Sequence, residues 1–121
     1  MKRLALLLLL FGGFVVCADA EAIFSGTLFA PNNDTFACTT NNVLGDRIGF
    51  ILTIYDDAGN IAVGPKTIHL EARTASSIVT TVTSGHGYFC RWSTQNKSNI
   101  RGEAQLYSDV DNRMYASSEG R

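Results

Sequence analysis

The sequence predicts an all-β protein, a single antiparallel β-sandwich that follows an N-terminal signal peptide. Short segments of alternating apolar and polar residues run through most of the chain after residue 20, and they are rich in β-branched and aromatic residues. Clusters of Gly, Asn, Asp and Pro interrupt these segments about every ten positions. Sustained helical periodicity is absent from the same region. Roughly seven to nine short strands in about 100 residues are typical of an antiparallel sandwich or a small barrel.

The first three predicted strands precede residue 56. Residues 23–29 (I-F-S-G-T-L-F) end at a turn of residues 31–34, and residues 35–40 (T-F-A-C-T-T) end at two asparagines. Residues 48–55 (I-G-F-I-L-T-I-Y) have an apolar residue at every second position, which indicates a strand with one face in the core. The predicted core face of that strand consists of Ile48, Phe50, Leu52 and Ile54.

The remaining strands follow a predicted hairpin turn at residues 56–60 (D-D-A-G-N). Asp, Gly and Asn are the residues that tight turns favour. The strands predicted after this turn are 61–63, 66–70, 77–83, 88–93, 100–107 and 113–117.

Residues 1–20 have the pattern of a secretory signal peptide, with cleavage between Ala20 and Glu21. A basic start precedes an apolar run of about 13 residues, whereas a membrane-spanning helix needs about 20. Cys17 leaves a second possibility open, a bacterial lipoprotein acylated at that cysteine. We therefore expect an exported domain of residues 21–121, periplasmic or extracellular, without an integral membrane segment.

The charge of the mature domain argues against nucleic-acid binding. The full chain has 10 basic and 11 acidic residues and a net charge of −1. Removal of residues 1–20 leaves eight basic and ten acidic residues, a net charge of −2. Binding to nucleic acid or to an anionic membrane depends on a basic surface. We therefore expect no nucleic-acid partner.

The segment S-G-H-G-Y-F-C-R-W-S-T (84–94) predicts a disulfide. Strand alternation places Tyr88, Cys90 and Trp92 on one face, which the small and apolar residues of strand 100–107 can cover. A cysteine among core aromatics is a poor reactive thiol, because such a thiol needs solvent access and a lowered pKa. Once residues 1–20 are removed, the only partner left is Cys38, and paired cysteines are typical of exported domains. We expect a Cys38–Cys90 disulfide supported by Tyr88 and Trp92.

Two resemblances accompany this pattern. Tyr88-x-Cys90 is similar to the signature of immunoglobulin-like sandwiches, in which a tyrosine precedes the second cysteine of an inter-sheet disulfide by two residues. The order C-T-T-N-N, I-Y-D-D-A-G-N-I, Y-F-C-R-W, R-G-E-A-Q-L-Y and E-G-R resembles small, signal-bearing bacterial proteins of unknown function. The first implies an immunoglobulin-like general architecture. The second implies an exported bacterial β-sandwich and transfers no catalytic residues.

One set of side chains could carry catalysis. In T-I-H-L-E-A-R, an extended strand would align His69, Glu71 and Arg73 on one face, about 7 Å apart in steps. An acid, a base and a phosphate clamp of this kind would suit a small secreted hydrolase that acts on RNA. Alternation alone also produces this pattern on a solvent-exposed strand face, and the second catalytic acid is missing unless His86 supplies it.

The sequence indicates no metal and no cofactor. The two histidines have no neighbouring ligand at a zinc-binding spacing, and residues 56–60 lack the alternating Asp positions of a calcium loop.

Exposed aromatic residues are the remaining functional signal. Tyr55, Phe89, Tyr107 and Tyr115 could form a platform for a protein or glycan partner, although ordinary cross-strand packing accounts for them more simply. The β-branched run 78–82 could accept an added strand, although its threonines also suit a solvent-exposed strand. We expect a non-enzymatic binding or structural module of the cell envelope or extracellular space. The alternative is the hydrolase above.

Overall fold

The computed structural model describes residues 21–121 and shows the predicted all-β fold, with two antiparallel sheets around one core. The predicted signal peptide and Cys17 lie outside the described residues. The strands in chain order are β1 Glu21–Phe24, β2 Leu28–Phe29, β3 Thr35–Asn42, β4 Ile48–Asp56, β5 Ile61–Leu70, β6 Ala75–Thr81, β7 Gly87–Thr94, β8 Ile100–Tyr107 and β9 Met114–Glu119. A 3-10 turn, Lys97–Asn99, precedes β8. Within residues 21–121, no helix has the length and apolar character that crossing a membrane requires.

Each sheet has a central strand that carries one cysteine. Sheet 1 has the order β1-β7-β4-β5, with β2 also paired to β7, and sheet 2 has the order β6-β3-β8-β9. The alternation predicted for β4 is confirmed, because its even-numbered residues from Ile48 to Ile54 are buried. Inward residues of β3, β7 and β8 complete the core between the sheets.

Two predicted strand boundaries are wrong. Segment 23–29 divides into β1 and β2, because Ser25 bonds Cys90 through its backbone N–H and its hydroxyl while the N–H of Gly26 turns to Ser118 Oγ. Segments 61–63 and 66–70 instead form the single strand β5. Its register against β4 shifts where Gly64 and Pro65 lie, so the chain passes the proline without ending the strand.

The predicted disulfide is confirmed and joins the two sheets. Cys38 of β3 and Cys90 of β7 are bonded, their Cα atoms are 6.0 Å apart, and both side chains are fully buried. The link therefore connects the middle of one sheet to the middle of the other, through the centre of the core.

Trp92 packs beside this disulfide against a glycine of the opposite sheet. Its indole N–H donates to the Thr40 hydroxyl at 2.7 Å, and both residues are buried. A Cβ on Gly102 would lie 2.6 Å from the indole ring, closer than any real contact, so only glycine admits the ring at this position.

Tyr88 forms the corner seen in immunoglobulin-like domains. Its hydroxyl accepts a hydrogen bond from the backbone N–H of Thr83, five residues upstream, at 3.1 Å. In immunoglobulin terms β3, β4, β6 and β7 take the places of strands B, C, E and F. The strands beside this common core are arranged differently from those of an immunoglobulin domain. After the 3-10 turn the chain crosses to sheet 2, where β8 pairs with β3, and β1 pairs with β7 in sheet 1.

Asn42 connects the sheets where β5 leads into β6. Its buried side-chain NH2 donates to the carbonyl groups of Asp46, Leu70 and Glu71, and its side-chain oxygen accepts from the N–H of Leu44. This single side chain therefore satisfies the backbone of two separate loops.

Candidate functional site

The structure corrects the predicted catalytic face. His69 lies on β5 opposite Gly49, but β5 ends at Leu70, so Glu71 and Arg73 belong to the turn into β6. Arg73 has a left-handed backbone with φ 57°, and the Glu71 carbonyl accepts from both the N–H and the hydroxyl of Thr74. The alternation that would align the three side chains stops there, because the chain must cross from sheet 1 to sheet 2.

The remaining polar groups near this turn do not assemble into an acid–base site. The Glu71 carboxylate pairs with Arg47 at 3.3 Å, and both side chains are mostly exposed. His86, the other histidine, lies 3.4 Å from Asp57, beyond the end of β4 opposite to the one where His69 lies. Among residues 21–121, no group of three or more His, Cys, Asp or Glu side chains is placed to hold a metal ion.

The outer face of sheet 1 carries a cluster of aromatic residues. Tyr55 of β4 and Phe89 of β7 lie opposite each other, and their rings stack at 5.2 Å with an interplanar angle of 16°. Phe24 of β1 lies opposite Arg91 of β7, whose guanidinium is 5.8 Å from the centre of its ring. Phe29 lies against Gly87 and is 61% exposed. We name this surface, formed by Phe24, Phe29, Tyr55, Phe89 and Arg91, the aromatic face.

The aromatic face continues into exposed aliphatic side chains. Thr53, opposite Arg91, points outward and is nevertheless only 3% exposed, so the neighbouring side chains lie over the sheet. Ile51 and Ile61 extend the apolar surface along β4 and β5 and are 42% and 55% exposed. Beside Ile51, a shallow depression of about 270 Å³ reaches Thr67 and His69.

The sequence located only half of the aromatic face. It pointed to Tyr55 and Phe89, which alternate outward on long strands. It missed Phe24 and Phe29, which are five positions apart and would point to opposite faces of one continuous strand. The break at residues 25–27 changes the alternation, so that both point outward. Gly26 could have indicated this break, because a glycine inside a strand often marks a bulge or a bend.

The two other predicted platform tyrosines lie on sheet 2 and make hydrogen bonds there. The Tyr107 hydroxyl donates to Gln105, which is also bonded to Thr39 and Glu103. This outer face is therefore a polar network. The outward aromatic rings of sheet 1 therefore pack against each other and against Arg91, whereas the two tyrosines of sheet 2 are hydrogen-bonded to polar side chains.

Tyr115 is bound to a buried carboxylate. Its hydroxyl donates to Asp34 Oδ2, while Asp34 Oδ1 accepts from the N–H of Asp109 at 3.0 Å. Asp34 is only 4% exposed. Desolvation, the hydrogen bond to Asp34 and the charge of Asp34 together raise the pKa of Tyr115 from 10.0 to about 12.

This pKa shift predicts a loss of stability in alkali. The unfolded chain releases the Tyr115 proton near pH 10 and the folded chain near pH 12, so the contribution is complete below pH 10 and disappears as the pH rises to about 12. We expect absorbance titration at 295 nm to show a tyrosine ionisation near pH 12 in the folded protein. That ionisation should disappear in Tyr115→Phe and persist in Tyr107→Phe, and an unchanged ionisation near pH 12 in Tyr115→Phe contradicts the assignment.

Comparisons with known proteins support the fold and leave the function open. No family model and no curated protein matches this chain. The chain is similar to the crystal structure of Thermotoga maritima 1070, with a TM-score of 0.57 and 8% sequence identity. The match covers 84% of this chain and 92% of that chain. At this identity, the similarity shows the shared fold alone.

Proposed function

We propose that this protein is an exported, non-enzymatic binding module whose aromatic face docks onto a protein partner. The observation that carries the proposal is the concentration of four aromatic rings and one arginine on a single open sheet face. We place the protein in the periplasm or the extracellular space.

The composition of the aromatic face is that of a protein-binding surface. Aromatic residues and arginine are enriched in the centres of protein interfaces, where acidic residues and lysine are depleted. The face extends over residues of β1, β2, β4 and β7, and the depression beside it is shallow. Small-molecule sites are instead concave, with polar groups that converge on the ligand. A protein partner therefore fits this face better than a small ligand does.

The charge on the face specifies one feature of the partner. Arg91 is half-buried, its guanidinium lies over Phe24, and it forms no salt bridge within residues 21–121. A carboxylate of the partner can pair with this guanidinium and gain strength from partial desolvation. We therefore infer a partner that presents an acidic side chain among apolar ones.

Export is supported by the disulfide and by the predicted signal peptide. A disulfide between fully buried cysteines suits an oxidising compartment. The hydrolase alternative has less support, because Glu71 and Arg73 lie in the turn after β5 and not on the extended strand with His69.

The test removes exposed rings from the aromatic face and leaves the core intact. Phe24→Ser and Phe29→Ser change side chains that are 46% and 61% exposed, and Val110→Ser is the matched control because Val110 is 97% exposed and lies outside the face. In cross-linking pull-downs of mature protein from the native source, we expect the double variant to lose about tenfold or more of its partner. The control should recover the same partner as the unchanged protein.

Arg91→Glu tests the charge requirement separately. We expect it to abolish capture, because it places a carboxylate opposite the acidic group of the partner. If all variants recover the partner equally, the aromatic face is not the binding surface. If the protein binds a glycan array through Phe24 and Phe29 and captures no protein, the aromatic face is the binding surface but its ligand is a glycan.

A further inference from the structure

The sandwich has four sheet edges, and three of them carry features that block strand addition. On β5, the register shift at Gly64 and Pro65 interrupts the ladder, and Lys66 adds charge. At the opposite edge of sheet 1, β1 has only four residues, and the backbone of Phe24 exchanges hydrogen bonds with the backbone of Arg121. The outer strand β9 has a register shift and ends at Glu119.

The fourth edge, β6, has none of these features. Its seven residues (A-S-S-I-V-T-T) contain no charge, no glycine and no proline. They pair with β3 without a register shift, from Thr35–Thr81 to Asn41–Ala75. Val79, next to the central residue of this strand, is 59% exposed. A long, regular, uncharged edge is a template for pairing with another strand.

The hydrogen bonds at the two ends of β6 identify its open backbone groups. Asn42 N–H donates to Thr74 O, and Val82 N–H donates to Asp34 O. Because hydrogen-bonded pairs alternate along an antiparallel ladder, the even-numbered residues of β6 bond to β3. The odd-numbered residues direct their N–H and C=O groups away from the sheet. These residues are Ala75, Ser77, Val79 and Thr81.

We propose that two copies of this domain pair through antiparallel β6 strands about a two-fold axis at Ile78. The pairing joins two four-stranded sheets into one continuous sheet. It places Ser77 opposite Val79 of the partner subunit and Ala75 opposite Thr81 of the partner subunit. In this register every outward N–H and C=O of the odd-numbered residues meets a complementary group.

A second copy fits this edge because the edge is neutral and symmetric in length about Ile78. A two-fold interface about Ile78 places each residue of β6 opposite the residue at the same distance on the other side of Ile78 in the second copy. Because β6 has no charged residue, no two like charges meet anywhere along the paired strands. Ile78 meets its counterpart at the axis, and the exposed Val79 gains a neighbour. This interface is independent of the aromatic face, which lies on the other sheet.

Sedimentation velocity over a concentration series tests the pairing. One strand pair buries less area than the roughly 1,200 Å² of a stable interface, so we expect a monomer–dimer equilibrium. Val79→Pro removes an N–H that points away from β3, and edge strands tolerate proline. We expect it to weaken dimerisation at least about tenfold, because two symmetry-related hydrogen bonds are lost. Val79→Thr keeps the N–H and the branched side chain and should dimerise normally.

A charge-pairing experiment tests the register. Ser77→Lys and Val79→Glu chains, mixed in equal amounts, should form heterodimers in preference to either homodimer, because the ammonium introduced in one chain then faces the carboxylate introduced in the other. A mature protein that stays monomeric from about 1 µM to about 1 mM overturns the proposal. So does a dimer that survives Val79→Pro, or a dimer that is lost in Phe24→Ser/Phe29→Ser. The proposal is also overturned if β6 pairs only with a strand of another protein and not with β6 of a second copy.

Discussion

Replacing both bonded cysteines by alanine, in Cys38→Ala/Cys90→Ala, should lower the free energy of unfolding by roughly 4 kcal/mol. The disulfide closes a loop with a sequence separation of 52, and its loss releases that constraint from the unfolded chain. The bond also lies in the centre of the core, where both sulfur atoms are inaccessible to solvent. Because domains of this size are stable by only about 5–15 kcal/mol, this is a large fraction of the total.

Urea unfolding followed by tryptophan fluorescence measures this difference. The matched control is the unchanged protein in denaturant with a reductant, which should unfold near the midpoint of the double variant because both then lack the link. A difference below about 1 kcal/mol between the oxidised protein and the double variant would contradict the expected constraint on the unfolded chain.

The second large effect is expected for Trp92→Ala, which should cost about 3–5 kcal/mol. The indole is fully buried between Ile23 and Gly102, on strands of opposite sheets. Its removal leaves a cavity that the surrounding backbone cannot fill, because glycine supplies no side chain on that side. The Thr40 hydroxyl also loses its buried partner.

Trp92→Phe separates the two contributions. Phenylalanine retains most of the apolar contact and loses the N–H donor, so we expect a smaller loss than for alanine. Circular dichroism and urea unfolding of both variants give the comparison. Equal costs for the two substitutions would show that the hydrogen bond to Thr40, rather than the filled volume, dominates at this position.

Strand β7 supports both the core and the proposed binding surface. Its residues Tyr88, Cys90 and Trp92 point inward, while Phe89 and Arg91 point outward onto the aromatic face. The rigid inner face holds the strand in place, which lowers the entropy lost when the outer residues bind. Variants of the outer residues should therefore change binding with little effect on stability.

The all-β class, the core face of β4 and the disulfide could be predicted from the residues alone. These features depend on alternation within one strand, on turn residues, and on two cysteines in a domain that the sequence predicts to be exported. Alternation repeats every two residues whatever the partner strand is, so it can be recognised without knowing the tertiary structure.

Which side chains come together in the two candidate sites depends on the tertiary structure. It ended β5 at Leu70, which separated His69 from Glu71 and Arg73, and it broke segment 23–29, which turned both Phe24 and Phe29 outward. These changes occur where the chain leaves one sheet and bonds to a distant strand, as Ser25 does to Cys90. The sequence by itself therefore determined which residues of β4 and β7 face the core. Contacts between residues far apart in the chain decided where strands end, and hence which side chains share a surface.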